Sequence, residues 1–472
     1  MSSWTALVPF LLVIPISIFT KQVIPGLFVG LLAGSYLMDP SLLGGLRKFL
    51  YYLVHNLVQT NNIRIIIFLY VFAGLVSMIK LTGGIKGFVH LVSKKVKTKR
   101  SAFMLTWLST IGTFSDPDFR IVTIAPIMKA LKQRLKLSSQ ELGFAIEATS
   151  NPVVALIPIA TAFVGYMVSV IQLSLEKVGI HDKPYTVYVK SIPFNFFSIV
   201  MILVGIYYSF FKHSKETKMV NTGENPQADQ GEEALDACYR AYEKETPIKP
   251  WNLILPLATV LTLTLFLSWW DGHFKTKSFF DAFIQSDALG VMLEGLFITL
   301  ILTIVFFLFQ KFKFNDLLTH FVKGGNELMS VIILLALIWG VSDVSEALGF
   351  SKFIIAHIGS WIPHYLIAPA LFLIGAIISY FIGSSWGTWG LLMPLGVTLA
   401  HTSGTNILLA VGAVFSSGTF GAFASPLSDN TNTLCTILDL PIIEYSRYKL
   451  VPSLVAASMT TILFGVASFL FR

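Results

Sequence analysis

Charged side chains make up only 13% of this 472-residue chain, about half the share of an ordinary soluble domain. The shortage excludes a large solvent-covered enzyme. Cysteine is almost absent: Cys238 and Cys435 are the two present, so neither a disulfide framework nor a cysteine metal cluster is expected. The histidines are scattered, and none sits beside a cysteine or a carboxylate pair at ligand spacing, so no metal site follows. There is no Walker motif, dinucleotide fingerprint or nucleophile elbow, which argues against ATP-driven pumping and against an enzyme. No basic residue precedes the first apolar run, since Lys21 comes after it. The first segment is therefore expected to be retained as a membrane element, not cleaved as a signal peptide.

What is present is apolar. Hydrophobic residues reach 54% and mean hydropathy is +0.72, and apolar runs of roughly 20 residues recur along the chain, each long enough to cross a bilayer. The formal charge of +8 lies mostly in short loops between those runs, where it marks topology and not nucleic-acid binding. Residues 212–250 break the pattern with a polar, mixed-charge stretch. The expected organisation is an N-terminal transmembrane repeat over residues 1–211, a cytoplasmic linker over 212–250 and a C-terminal inverted repeat over 251–472.

The repeat is read from residues as well as hydropathy. Gly74, Gly83 and Lys86 recur with unchanged spacing as Gly340, Gly349 and Lys352; Ile111-Gly112-Thr113 recurs as Ile382-Gly383-Ser384, and Asn151-Pro152 as Ser425-Pro426. Lysines and arginines at 94, 95, 97, 99 and 100 precede the first interrupted segment, and those at 129, 132, 134 and 136 follow it. Both ends of that segment then face the cytoplasm, and it should turn back as a re-entrant hairpin. The matching C-terminal flanks, 359–366 and 400–406, carry no lysine or arginine and should face outward. The expected fold is all-α and polytopic: two inverted repeats, each with about five crossings and one hairpin, both termini outside.

Two apolar stretches are interrupted in a way that lipid tolerates only around a cavity. Ile382 to Pro394, IGSSWGTWGLLMP, combines helix-breaking glycines with the hydroxyls of Ser384, Ser385 and Thr388; Gly421 to Asn432, GAFASPLSDNTN, places Ser425, Ser428 and Asp429 around a proline. In the first half Glu147 stands four residues before Asn151-Pro152, with Thr149 between. Proline frees a carbonyl of the preceding turn, and carboxylate, hydroxyl and carbonyl oxygens together suit a hard cation such as Na⁺, expected at Glu147 and Asp429. Asp429 also reads as a helix cap. Asp343 lies in an apolar segment with no base inside it, either binding an ion or proton or hydrogen-bonding between helices; Glu346, nearer the segment end, reads as interfacial. Asp116, in Ser115-Asp116-Pro117-Asp118, is either a coupling residue at the first hairpin tip or part of an Asp-Pro turn, with Asp118 free to pair with Arg120.

These stretches resemble the NhaC-type sodium/proton antiporters of the Ion Transporter superfamily, over most of the chain. GSSWGTWGLLMP is similar to the family's G-T-S-W-G-T followed by proline, at Gly383, Ser385, Trp386, Gly387, Thr388 and Pro394. GAFASPLSDNT is similar to G-D-H-C-S-P-I-S-D-T-T, at Gly421, Ser425, Pro426, Ser428, Asp429 and Thr431. LSSQELGFAIEATSNPVVALIPIAT is similar to a third family stretch that runs I-S-R-E-K-L-A-Y and then D-S-T-A-A-P-V-A. The chain departs at Ala422 and Phe423, where the family has aspartate and histidine, and at Glu147, its carboxylate in the D-S-T-A-A-P stretch. The resemblance implies Na⁺/H⁺ exchange by alternating access in a bacterial-type cytoplasmic membrane, with Glu147, Asp429 and Asp343 as carboxylates and Ser385, Thr388, Ser425, Ser428, Thr149 and Asn151 as neutral ligands. No cofactor is expected beyond the transported Na⁺ and H⁺. Expected partners are the lipid bilayer, small cations and, as a homodimer, a second copy; nucleic acid is not among them. Relatives on the same scaffold carry small organic acids or amino acids, which is the alternative substrate; a channel or a non-transporting receptor is the reading from another class.

The topology is testable by thiol accessibility in a chain with Cys238 and Cys435 replaced by serine. Single cysteines at Ser93 and Ser138 should react with an impermeant reagent only from the cytoplasm, and those at Ser360 and Ser403 only from outside. Labelling of all four from one side would sink the inverted repeat.

Overall fold

A computed structural model describes residues 4–20, 22–84, 87, 96, 98–114, 117, 120–121, 124–125, 128–129, 132, 137–158, 161–211, 247, 249–274, 276, 282, 286–350, 352–353 and 363–471. Asp116 with its neighbours Ser115 and Asp118, most of the linker, Lys86, the cluster at 94, 95 and 97, Arg134, Lys136, and 359–362 of the flank expected to face outward lie outside the described residues. Every longer element is an α-helix: α1 Val8–Thr20, α2 Val23–Met38, α3 Leu42–Leu57, α4 Thr60–Leu81, α5 Lys99–Leu108, α6 Thr110–Thr113, α7 Ser139–Ala148, α8 Asn151–Val154, α9 Ala162–Lys177, α10 Pro184–Ser191 and α11 Phe196–Phe210. The second half holds α12 Trp251–His273, α13 Ala288–Phe309, α14 Phe314–Glu327, α15 Met329–Ala347, α16 His364–Ile382, α17 Ser385–Ser403, α18 Ile407–Ala424, α19 Asp429–Leu438 and α20 Ile442–Leu470. Among the described residues no strand occurs.

Seven helical stretches of the described chain are long and apolar enough to cross a membrane, or eight if α10 and α11, bent by 44° at Asn195, form one span. That is fewer than the expected number of crossings, because α1 and α2 are only 13 and 16 residues long and several N-half helices are short. The protein is a multi-pass membrane protein. Its outward rows agree: Ile301, Val305 and Phe309 of α13 and Val451, Val455 and Ile462 of α20 are large, apolar and exposed, a surface that water would penalise and lipid accepts.

The halves interlock. α4 of the N-terminal half packs on α13 and α14, and α15 of the C-terminal half packs on α2 and α3. The glycines matched in the sequence sit at these crossings: a Cβ on Gly74 would lie 2.4 Å from the Phe321 ring, and one on Gly340 2.9 Å from Leu31. Gly83 and Gly349 both follow the end of their helices with positive φ, 76° and 91°.

α16 and α17 form a hairpin. Gly383, at φ 77°, ends α16, and the Ser384 side chain caps α17 by accepting from the Gly387 amide. Near the far end Thr405 Oγ1 donates to the His364 carbonyl at 3.1 Å, so the arms are antiparallel and end at the same level. Each arm has 19 residues, about 28 Å of helix. The hairpin is thus longer than a short re-entrant turn, because Gly383 and Ser384 close it in two residues and leave both arms free to stay helical. α18 returns beside both arms, and its break meets the hairpin turn: Ser425 Oγ donates to the Tyr380 carbonyl at 2.6 Å.

Gly383 has two reasons to be glycine. Its φ is left-handed, and a Cβ would lie 2.6 Å from the Leu427 carbonyl carbon. Gly383→Ala should destabilise the protein by at least about 1–2 kcal/mol from the backbone conformation alone, read as a lower melting temperature in detergent. Gly465→Ala, which meets nothing within 4 Å, should leave it unchanged or raised. Equal melting of the two variants would contradict this account of the turn.

Candidate functional site

The first break follows from local chemistry. α7 stops at Ala148, whose carbonyl would need the amide hydrogen that Pro152 lacks; beside it Thr149 Oγ1 donates back to the Ala145 carbonyl at 2.8 Å and Ser150 Oγ to the Ile146 carbonyl at 2.7 Å, bonds that weaken a helix. Ser150 adopts φ −93° and ψ −102°, outside helical geometry, before α8 restarts at Asn151.

One turn before that break, Glu147 is 2% exposed. Its Oε1 accepts from Thr431 Oγ1 at 2.8 Å and Lys449 Nζ at 2.9 Å. Its Oε2 accepts from Tyr445 OH at 2.6 Å and Lys449 Nζ at 2.9 Å. Lys449, with no exposed surface, also donates to Thr431 Oγ1 at 2.6 Å. All three of its ammonium hydrogens then have acceptors. The network joins α7, α19 and α20. Above the ammonium lie the Tyr445 ring at 5.0 Å and the Phe423 ring at 5.5 Å.

A second buried cation stands across the same break. Arg120, also with no exposed surface, donates through Nη1 to Thr113 Oγ1 at 2.7 Å and Ser109 Oγ at 3.3 Å. Through Nη2 it donates to the Thr106 carbonyl and to Thr149 Oγ1, each at 2.6 Å. Among the described residues its Nε has no partner.

The other candidates distribute unevenly. Asn151 is buried at the start of α8, and Ser385 is buried as the first residue of α17. Thr388 Oγ1 donates to the Ser384 carbonyl at 2.9 Å, Ser425 to Tyr380, and Ser428 Oγ to the Ala422 carbonyl at 2.8 Å. Asp429 is exposed at the first turn of α19, and among the described residues it has no hydrogen-bond or ion-pair partner; Ser428 holds the cap position instead. Asp343 stands apart. Its Oδ1 pairs with Lys177 Nζ at 2.9 Å and its Oδ2 accepts from Asn56 Nδ2 at 2.8 Å. It lines an open cavity of about 480 Å³ with Tyr52, His55, Glu176 and Lys177. Its base comes from α9, not from its own segment, and the two carboxylates Asp343 and Glu147 share no partner.

Sequence reasoning passed over Lys449, Tyr445 and Arg120. Lys449 stands at the edge of the last apolar stretch of the sequence, where a basic residue ordinarily lies at the interface, whereas α20 begins at Ile442 and carries it inside. Arg120 was read only as a partner for Asp118. Thr431 was already among the motif matches.

Residues 153–469 match the family model described as the Na⁺/H⁺ antiporter family. The chain belongs to that family. It is 24% identical over 490 residues to an uncharacterized protein of Haemophilus influenzae, covering 99% of this chain and 91% of that one. Over shorter stretches it is similar to the malate-2H⁺/Na⁺-lactate antiporter of Bacillus subtilis, at 30% identity over 152 residues (29% of this chain, 32% of that protein). It is also similar to the Na⁺/H⁺ antiporter NhaC of Alkalihalophilus pseudofirmus, at 29% over 169 residues (36% and 37%). In fold it is similar to MtrF of Neisseria gonorrhoeae, described as one of a class of antimetabolite efflux pumps, with TM-score 0.63 and 15% identity over 91% of this chain and 85% of that one. The chain is a secondary transporter.

The buried pair makes a stability prediction. Removing one partner of such a pair costs about 3–5 kcal/mol, because the other charge is left uncompensated, whereas removing both costs far less. Glu147→Gln and Lys449→Met should each lower the melting temperature, and the double variant should melt above the value that their summed losses give. Additive losses would mean that the two charges do not stabilise each other.

Proposed function

We propose that the protein exchanges Na⁺ for H⁺ by alternating access, with Glu147 as the carboxylate that the two cations share. The observation that carries this reading is the saturation of Glu147 by Lys449 inside the apolar core. A buried carboxylate needs one positive neighbour, and two would be costly. When Na⁺ reaches Glu147, Lys449 gives up one proton and becomes a neutral amine; the site begins and ends the step with the same net charge. Thr431 and Tyr445 hydroxyls supply neutral oxygens to the incoming ion. Because Na⁺ and the proton compete, lowering the pH opposes Na⁺ binding and raising it favours Na⁺.

Asp429, exposed at the start of α19, is the natural entry carboxylate. Ser385, Thr388, Ser425, Ser428, Thr149 and Asn151 serve as neutral groups along the path. Asp343, paired with Lys177 on a separate cavity, acts in gating or ion entry, and Asp116 remains the candidate at the first hairpin tip. The reciprocal packing of α4 and α15 on the opposite halves, with matched glycines at both crossings, supports two inverted repeats as the moving parts. The proposed location is the cytoplasmic membrane.

Purified protein in lipid vesicles, given Na⁺ and no organic solute, should shift lumenal pH, and the sign should reverse with the Na⁺ gradient. Glu147→Gln and Lys449→Met should abolish the response, Asp429→Asn should weaken it, and Glu346→Gln should leave it near normal. Silence of the wild type toward Na⁺, Li⁺ and K⁺, or normal flux in both variants of the pair, would remove this function.

A further inference from the structure

Among the described residues, the charged side chains that are fully buried are Arg120, Glu147 and Lys449. Two are cations and one is an anion. Lys449 and Glu147 neutralise each other, which leaves the Arg120 guanidinium as a buried charge without a counterion among the described residues. Its four Nη hydrogens go to three hydroxyls and one backbone carbonyl, all neutral, and its fifth donor, Nε, has no partner among the described residues. Neutral acceptors relieve part of the several kcal/mol that such an ion costs on leaving water, but they do not cancel its charge.

The hydroxyls around it are arranged to accept. Thr113 Oγ1 donates to the Ser109 carbonyl at 2.8 Å, Ser109 Oγ to the Thr106 carbonyl at 2.8 Å, and Thr149 Oγ1 to the Ala145 carbonyl at 2.8 Å. Each hydroxyl hydrogen is thus spent on the backbone, and the lone pairs turn to the guanidinium. This collar holds the fork in place without satisfying its charge. A carboxylate fits that fork through two parallel N–H···O bonds; it would take the unpaired Nε–H and one Nη–H, displacing a single hydroxyl.

We propose that Arg120 anchors a carboxylate of the transported solute, so that the substrate class is a small organic anion bound between α6 and the α7–α8 break, on the far side of that break from the Glu147–Lys449 pair. The proposal rests on the transport reading above in taking the break as the path, and it extends that reading from ions alone to an ion and an anion together. With the anion bound, the interior charge falls to zero. Na⁺ then meets a neutral site and not a positive one, so the anion promotes Na⁺ binding.

The test measures equilibrium binding in Na⁺-free, detergent-solubilised wild-type protein, and so is independent of Na⁺-driven pH changes. The probes are acetate, lactate and succinate, each against its neutral amide, with chloride and inorganic phosphate as further anions. At least one carboxylate should raise the melting temperature and give a saturable titration, its amide should do neither, and Arg120→Gln should weaken the binding roughly 10- to 100-fold, the scale of a lost charge-assisted hydrogen-bond pair. Arg120→Lys, which keeps the charge without the fork, should bind with intermediate strength and carries the assignment if the glutamine variant does not fold. Three outcomes overturn the proposal: no carboxylate binds the wild type, chloride or phosphate binds as well as the carboxylates, or the folded Arg120 variants bind as the wild type does. A wild type that binds a carboxylate but shows no Na⁺-driven pH response would keep this site and remove Na⁺/H⁺ exchange.

Discussion

The structure depends on the desolvated contact between Glu147 and Lys449. Taking two ions out of water costs several kcal/mol each, and attraction between them repays that only when geometry is good and the remaining hydrogen-bonding capacity is filled. Both conditions hold, since the ammonium makes three bonds of 2.6 to 2.9 Å and each carboxylate oxygen has a second, hydroxyl donor. The elements around the pair are consequently fixed to one another: α7 by the acid, α20 by the base and the phenol, α19 by the threonine. On the function proposed above, the acid would carry one cation at a time, because a second positive neighbour in the core would be costly.

The chain breaks hold the acid in place. At the first break Pro152 has no amide hydrogen with which to carry the helix on, and Thr149, at the end of α7, gives Arg120 one acceptor of its collar. In the second half the same problem is solved differently: Gly383 turns the chain by its left-handed backbone, and Ser425 ties the second break to the end of α16. Polar backbone is thus bared at both places only where side chains or neighbouring helices cover it, as lipid demands.

Much of this was legible in the residues. Low charge and recurrent apolar runs specified a multi-pass helical protein, and glycine, serine and proline inside those runs marked where helices stop, because their backbone chemistry is local. The turn between α16 and α17 was marked by Gly383 and Ser384. What could not be read was which charge meets which. Lys449 follows Arg447 near the start of a helix, and a basic residue there ordinarily lies at the interface; only the depth at which α20 starts decides otherwise. Asp343 posed the converse difficulty, for its base Lys177 is 166 positions away in sequence. Pairings of that kind depend on helix placement, not on any nearby pattern.

The reciprocal packing of the halves bears on how the protein is made. α4 enters the membrane long before α14, so the surface around Gly74 that later receives Phe321 must first be covered by lipid or by the insertion machinery. α15 has no such wait, because α2 and α3 are already present when it arrives. Assembly is therefore lopsided in time although the finished packing is reciprocal. The N-terminal half stays unfinished until the second half has been synthesised, and a chain cut short after the linker would expose glycine-lined grooves with nothing to fill them.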